Sequence, residues 1–398
     1  MSLRRILHGI ILQLRHCCWC HQAEAMETIT FSPPLYKQRY QLVVELVEKL
    51  QARKVADLGC ARCTLLSRLK FCSCIEVLIG VDTDLELLKE NMYRVSPLPG
   101  DYLQPRPSPL SVRLYQGSVA VKDPRMLDCD FVSCIELIEH LDAAELARFS
   151  EVLFGYMNPA VVVITTPNAD FNILFPGVTQ FRHCDHRFEW SRSEFQAWCL
   201  DIGRTNAYSM EFTGVGVGPA GTETLGFCTQ VAIFRRDPSR AKIKMKNSEL
   251  PYKLVYEAVY PSLQNRKILH DAILNEVIFA AECVRRSFID IDTGGQSEWR
   301  TCRADGEECA RAAFSPEVSG PSFGGSPEVA GCPELSWSPE VTKIGAQLHI
   351  PVSTFFNNPR IRQLSDSLQQ LQEVLQASNR VKLSHCGSSV LYPAGDEN

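Results

Sequence analysis

No stretch of this chain stays apolar for the roughly 20 residues that a membrane-spanning helix needs, so no membrane span or membrane partner is expected. Excess positive charge is missing too. Lys and Arg number 41 against 46 Asp and Glu, a net charge of −5, which excludes a broad surface for coating nucleic acid and leaves only a local patch for such contacts. An even, regularly spaced cysteine framework is also absent. The 17 cysteines are odd in number and scattered, and Cys134, Cys199 and Cys228 fall inside apolar segments, where the thiol acts as a small hydrophobe. This points to a reducing compartment without structural disulfides. The first 23 residues contain no acid, only arginines and short apolar patches at Ile6-Leu7 and Ile10-Ile11-Leu12. A mitochondrial presequence shares that look but is usually richer in serine. The His16-Cys17-Cys18-Trp19-Cys20-His21 cluster is too crowded for zinc-finger spacing, so residues 1–25 are expected to be a disordered extension before Met26.

What the chain does have is alternation. Apolar β-branched runs at Lys54–Leu58, Ile75–Asp82, Ser111–Gly117, Asp130–Ile135, Ala160–Thr165, Tyr208–Thr213 and Phe227–Phe234 read as seven strands. Helical patterns lie between them, at Asp84–Arg94, Asp142–Tyr156 and Ser191–Ile202, while Pro97–Pro109 reads as a proline-rich surface loop. Strand and helix in turn imply an α/β fold, a doubly wound and mostly parallel seven-stranded sheet over residues 26–237. Residues 238–291 read as a helical segment centred on Lys253–Phe288. Residues 292–345 are rich in Gly, Ser, Pro and Glu and repeat Ser-Pro-Glu-Val at Ser315, Ser326 and Ser338, a composition that buries too little apolar surface to offset chain entropy. Residues 346–398 complete a partly disordered tail, with a glutamine-rich helix at Gln363–Ala377 that docks either on the core or on a partner.

Two constellations carry chemistry. In the first, Asp57-Leu-Gly59 ends a strand in a glycine turn, and Asp82 ends the next strand 23 residues after Gly59. That is close to the roughly 20 residues between a nucleotide-binding turn and its ribose-binding acid. The glycine lets backbone approach a cofactor, and the acid accepts the ribose hydroxyl protons. Ser118, beyond the third strand, stands where an adenine would rest. Dinucleotide sites need a third glycine to seat a pyrophosphate, and Ala61-Arg62-Cys63-Thr64 contains none, so a cofactor without phosphates fits better.

The second constellation is Glu136-Leu-Ile-Glu139-His140 at the end of the fourth strand. On a helical turn these three side chains share one side, and the two carboxylates repel unless a cation or a proton lies between them. A divalent metal and a solvated helix start with acids favouring the dipole explain this stretch equally well on its own.

The Asp57–Ala61 turn with Asp82 resembles the cofactor site of S-adenosylmethionine-dependent methyltransferases, although those usually carry a second glycine where this chain has Ala61. Pro34-Leu-Tyr-Lys-Gln-Arg-Tyr40, Glu136–Leu141 and Asp185-His-Arg-Phe-Glu-Trp190 together resemble the Hua-enhancer family of small-RNA 3′-terminal 2′-O-methyltransferases, over roughly residues 32–236. The resemblance is to the compact animal form, which acts on piRNAs. It implies a Rossmann-like class I methyltransferase domain that uses S-adenosylmethionine through Asp57, Gly59, Asp82 and Ser118. It also implies a catalytic metal site at Glu136, Glu139, His140 and His186, with His183 as a rival for the last place. The metal would be Mg²⁺, with Mn²⁺ or Co²⁺ also suited to two carboxylates and two imidazoles. Phe188 and Trp190 offer either a stacking platform for the terminal base or core packing.

The partners so implied are the 3′ end of a small single-stranded RNA and a PIWI-type Argonaute that holds it, met by a cytoplasmic monomer in germline RNA granules. Two readings compete with this one. A metal-independent methyltransferase of small molecules would have no use for His186, and a catalytically dead RNA-binding scaffold would follow if Ala61 spoils the cofactor turn.

Overall fold

A computed structural model describes residues 29–178, 180–239, 249–292 and 341–395. The cysteine-rich cluster before Met26 and, apart from Val341, the three Ser-Pro-Glu-Val repeats lie outside the described residues. The chain divides into two compact units, residues 1–96 with 110–259 and residues 97–109 with 260–398. Residue 237, one of the boundaries expected from the sequence, lies within the first unit. No helix among the described residues is long and apolar enough to cross a membrane, and the eleven cysteines among the described residues are free thiols.

The first unit is built on strands β1 (Lys54–Leu58), β2 (Val77–Asp82), β3 (Ser111–Gln116), β4 (Phe131–Ile135), β5 (Val161–Pro167), β6 (Tyr208–Val217) and β7 (Phe227–Arg236). All seven expected strands are therefore present. An eighth, β8 (Lys253–Val259), extends the sheet to the order β6-β7-β5-β4-β1-β2-β3-β8. The five strands from β3 to β5 run parallel, and β6, β7 and β8 pair antiparallel. The central strands are nearly continuous apolar runs because both of their faces are covered. Every residue of β5, Val161 to Pro167, is buried. Chain order reverses between β1 and β4, and ligands of open α/β sheets bind at such a switch point, beyond the carboxyl ends of the strands.

The eighth strand corrects the sequence reading, which made Lys253–Phe288 one helical stretch. Pro251 and Pro261 bracket Lys253–Val259. The segment pairs with β3 from Ser111 to Gln116 and so covers what would otherwise be an open sheet edge. Tyr252, just before it, is buried and donates to the carbonyls of Ser118 and Val121, both at 3.0 Å. The helix begins only at Arg266, after Pro261.

Around this sheet lie α1 (Leu35–Leu50), α2 (Leu85–Asn91), α3 (Ala143–Ser150) and α4 (Arg192–Asn206). Asp142 and Ser191 cap α3 and α4 in reciprocal capping boxes with Glu145 and Glu194. The helix expected to run evenly to Tyr156 instead widens to π geometry over Glu151–Met157.

In the second unit, α5 (Arg266–Asp292) packs Ile273, Val277, Ala280 and Ala281, a period-3.6 stripe. The stripe meets residues of an antiparallel sheet of β9 (Thr342–Ile344), β10 (Gln347–Pro351), β11 (Lys382–Leu383) and β12 (Ser389–Pro393). Two expectations change here. The linker assigned to residues 292–345 overlaps β9, which pairs with β10, and the tail contains a sheet besides its helices. The glutamine-rich helix, α6 (Leu368–Gln376), buries Leu371, Val374 and Leu375 in this unit's own core. The expected surface loop Pro97–Pro109 contains a short helix at Pro99–Leu103.

Candidate active site

The cofactor-type residues sit at the carboxyl ends of three adjacent strands. Gly59 has φ +77°, its N–H donates to the Val81 carbonyl at 2.8 Å, and an added Cβ would stand 2.9 Å from Leu137 Cδ1. The turn that follows is held by Asp82, which accepts from the Ala61 N–H at 2.8 Å and the Asp84 N–H at 3.0 Å. Ala61 takes the left-handed φ of +44° that glycine adopts freely. The missing glycine therefore costs local strain rather than the turn itself, which weakens the dead-scaffold reading. Asp57 is buried beside its strand partner Ser133, whose hydroxyl donates to it at 2.7 Å. Burial first, and then the charge of Asp82, push the Asp57 carboxyl up to about 7 against the pull of the Ser133 bond. Ser118 follows β3, and its hydroxyl accepts from the Ala120 N–H at 3.2 Å.

The acidic loop begins where β4 ends. Glu136 also has a left-handed φ, +51°. Its N–H donates to the Thr165 carbonyl, and its Oε1 accepts from Thr165 Oγ1 at 2.9 Å. Oε2 faces the Arg39 guanidinium at 3.4 Å. Glu139 is fully buried in a 3₁₀ turn over Ile138–His140, and its Oε2 accepts from Thr166 Oγ1 at 3.0 Å. Its Oε1 is buried with no hydrogen-bond partner. Burial, and then the Glu136 charge, raise the Glu139 carboxyl well above the usual carboxylate range. Burial and the nearby His186 ring hold His140 below its ordinary pKa.

The donor atoms of Glu139, His140 and His186 all lie within 4.8 Å of one another. Of the four expected metal residues these three converge, while Glu136 stands beside them, tied to Thr165 and Arg39. His183 is exposed, its ring 5.6 Å from that of His186, and groups instead with Cys184 and Asp185. A buried carboxylate oxygen without a partner is costly, and two carboxylates with two imidazoles form a donor set for a divalent cation. The residues present fit such an ion.

Phe188 and Trp190 stack on each other at 4.2 Å and pack against the sheet core, so packing is the role their surroundings give them. Sequence reasoning missed Thr165 and Thr166, the two hydroxyls that hold the glutamates. It also gave no role to Arg39, although Arg39 lies inside the Pro34–Tyr40 motif and also donates to Thr229 Oγ1 at 3.1 Å. Glu189 was missed as well. Its carboxylate meets His186 Nδ1 at 2.6 Å and accepts from Asn172 Nδ2 and the Arg182 N–H. Burial alone would raise its pKa, but these bonds outweigh burial and hold it below the ordinary value.

With this geometry in view, the likeness to known proteins has a physical location. A small RNA 2′-O-methyltransferase of Gallus gallus is 45% identical over 93% of this chain and 96% of its own length. The chain belongs to the small RNA 2′-O-methyltransferase family. A relative with the same description from Xenopus tropicalis is 39% identical over 94% of this chain and 100% of its own. The family described as HENMT1 C-terminal domain matches residues 267–394, which lie in the second unit. The crystal structure of small RNA methyltransferase HEN1 is 31% identical over 61% of this chain and 29% of that one, with a TM-score of 0.49. As a member of the family the chain is an S-adenosylmethionine-dependent methyltransferase of the class I fold.

Proposed function

We propose that this methyltransferase moves the methyl group of S-adenosylmethionine to the 2′-hydroxyl of the 3′-terminal nucleotide of small single-stranded RNAs of the piRNA type. In this reading it acts as a cytoplasmic monomer in germline RNA granules, on RNA presented by a PIWI-type Argonaute. One observation carries it above the others. The buried, half-partnered carboxylate of Glu139 converges with His140 and with His186, and Leu137 in the same turn as Glu139 would stand 2.9 Å from a Cβ placed on Gly59.

A ribose 2′-hydroxyl is a weak nucleophile at neutral pH. A divalent cation held by Glu139, His140 and His186 with Glu136 beside them, Mg²⁺ first and Mn²⁺ or Co²⁺ as alternatives, would supply Lewis-acid lowering of a hydroxyl's proton affinity and favour two vicinal oxygens. The chain's own residues do the rest. Thr165 and Thr166 set both glutamates in place before substrate arrives, which reduces reorganisation at the moment of reaction. Asp82, ordered by two loop amides, accepts the cofactor's ribose hydroxyls. Gly59 lets the backbone approach, and Ser118 borders the adenine. A 3′-terminal ribose alone offers a free vicinal hydroxyl pair, so the reading entails end selectivity.

The test offers the protein four matched short RNAs, ending in a free 3′ ribose, a 2′-deoxy, a 3′-deoxy and a 3′-phosphate terminus. Only the first should be methylated well. Loss of one vicinal oxygen in the 3′-deoxy RNA should slow transfer at least tenfold, which corresponds to about 1.4 kcal/mol. Equal rates on the free and 3′-deoxy ends would remove the two-oxygen requirement. No transfer to any RNA would overturn the substrate assignment.

A further inference from the structure

Glu189 carries a side chain only 1% exposed, and His186 beside it is 8% exposed. Three groups reach its carboxylate: the Arg182 N–H at 2.6 Å from Oε1, Asn172 Nδ2 at 2.6 Å from Oε2, and His186 Nδ1 at 2.6 Å from Oε1. The direction of each bond can be worked out from groups that have no choice. Arg182 Nε can only donate, and it donates to Asn172 Oδ1. That fixes the Asn172 amide with its NH₂ toward Glu189. The backbone N–H of Arg182 can likewise only donate. Two donors that have no alternative thus meet the two oxygens of Glu189 and favour its carboxylate form, and against a carboxylate the third bond needs its proton on His186 Nδ1. Nε2 is then the ring atom left with a lone pair to join Glu139 and His140.

We infer that Glu189 is a positioning residue, which holds His186 in its Nδ1–H tautomer so that Nε2 is presented to the cation. The inference rests on the metal reading above. A carboxylate behind a ligating imidazole fixes ring orientation and raises its basicity. The buttress is itself well anchored. The Arg182 guanidinium donates to the carbonyls of Cys228 and Asn168 and lies 5.1 Å over the Phe175 ring. The loop after β5 and the start of β7 thereby anchor the carboxylate that backs His186.

Two measurements on the full chain separate this role from the reading beneath it. In the metal-free protein, long-range ¹H–¹⁵N spectra of the nine histidines, with His186 assigned through His186→Gln, should show neutral His186 protonated at Nδ1. A proton on Nε2 overturns the proposal, whatever happens to metal. Calorimetric titration with Co²⁺ should then give an affinity about 10- to 100-fold weaker for Glu189→Gln than for wild type, with S-adenosylmethionine affinity unchanged. Wild type that takes up no Co²⁺ removes the metal reading and this inference with it. Wild type and Glu189→Gln binding Co²⁺ equally tightly removes the role of Glu189 and leaves the metal reading intact. If Glu189→Gln fails to fold, Asn172→Ala, which strips one prop from the carboxylate, should weaken Co²⁺ in the same direction, and an unchanged affinity counts against the proposal.

Discussion

Asp57→Asn tests whether the end of β1 holds an uncharged carboxyl in the empty enzyme. The wild-type side chain is buried, and its pKa rises from an ordinary 3.8 to about 7. The folded state therefore keeps a proton that the unfolded chain releases from about pH 4 upward. Stability is highest below the unfolded value, falls as pH rises through the window between 3.8 and about 7, and levels off above it. At roughly 1.4 kcal/mol per pH unit, the two units from pH 5 to 7 cost about 3 kcal/mol, and little more is lost by pH 8. Asparagine carries no such titration and keeps an oxygen for the Ser133 hydroxyl, which donates to Asp57 Oδ1 at 2.7 Å. Urea unfolding of the cofactor-free proteins at pH 5 and pH 8 should show the variant gaining on wild type by about 3 kcal/mol between the two conditions. A gap that stays constant with pH would refute the reasoning, because it would mean that water or a counter-charge reaches Asp57.

Four further predictions bear on the cofactor turn and the added strand. Gly59→Ala forces an L side chain into φ +77° and against Leu137, and should cost about 1–2 kcal/mol of stability together with much of the S-adenosylmethionine affinity, read by thermal unfolding and titration calorimetry. Asp82→Ala removes a carboxylate already ordered by the amides of Ala61 and Asp84. It should weaken S-adenosylmethionine by about 2 kcal/mol, and an unchanged affinity would mean that Asp82 does not hold the ribose. Tyr252→Phe deletes a hydroxyl shared between the Ser118 and Val121 carbonyls and should cost about 1 kcal/mol. A chain cut at Asp237 loses this tyrosine and β8 together, so it should melt well below one that ends after Val259.

Sequence alone determined the parts of this protein that local pattern encodes. The apolar runs of β1, β2, β4 and β5 mark buried parallel strands because both faces must be dry. The glycine turn at Gly59 and the acid at Asp82 that ends the next strand were legible because both follow from spacing along the chain. Glu139, His140 and His186 were legible through their motifs. What only the tertiary structure decided depends on residues far apart in the chain. β8 reads locally as part of a helix and becomes a strand because β3 presents an open edge 137 residues or more upstream, with Ser111 meeting Val259 and Gln116 meeting Lys253. Thr165 and Thr166 look like any β-branched strand end until folding sets them against glutamates 29 and 27 residues earlier. Ala61 looks like a defect in the turn, yet its N–H finds Asp82 across 21 residues. Glu189 sits in plain view between Phe188 and Trp190, but its meaning lies in the directions of three hydrogen bonds. Those are set by Arg182 and Asn172, and no one-dimensional pattern records them.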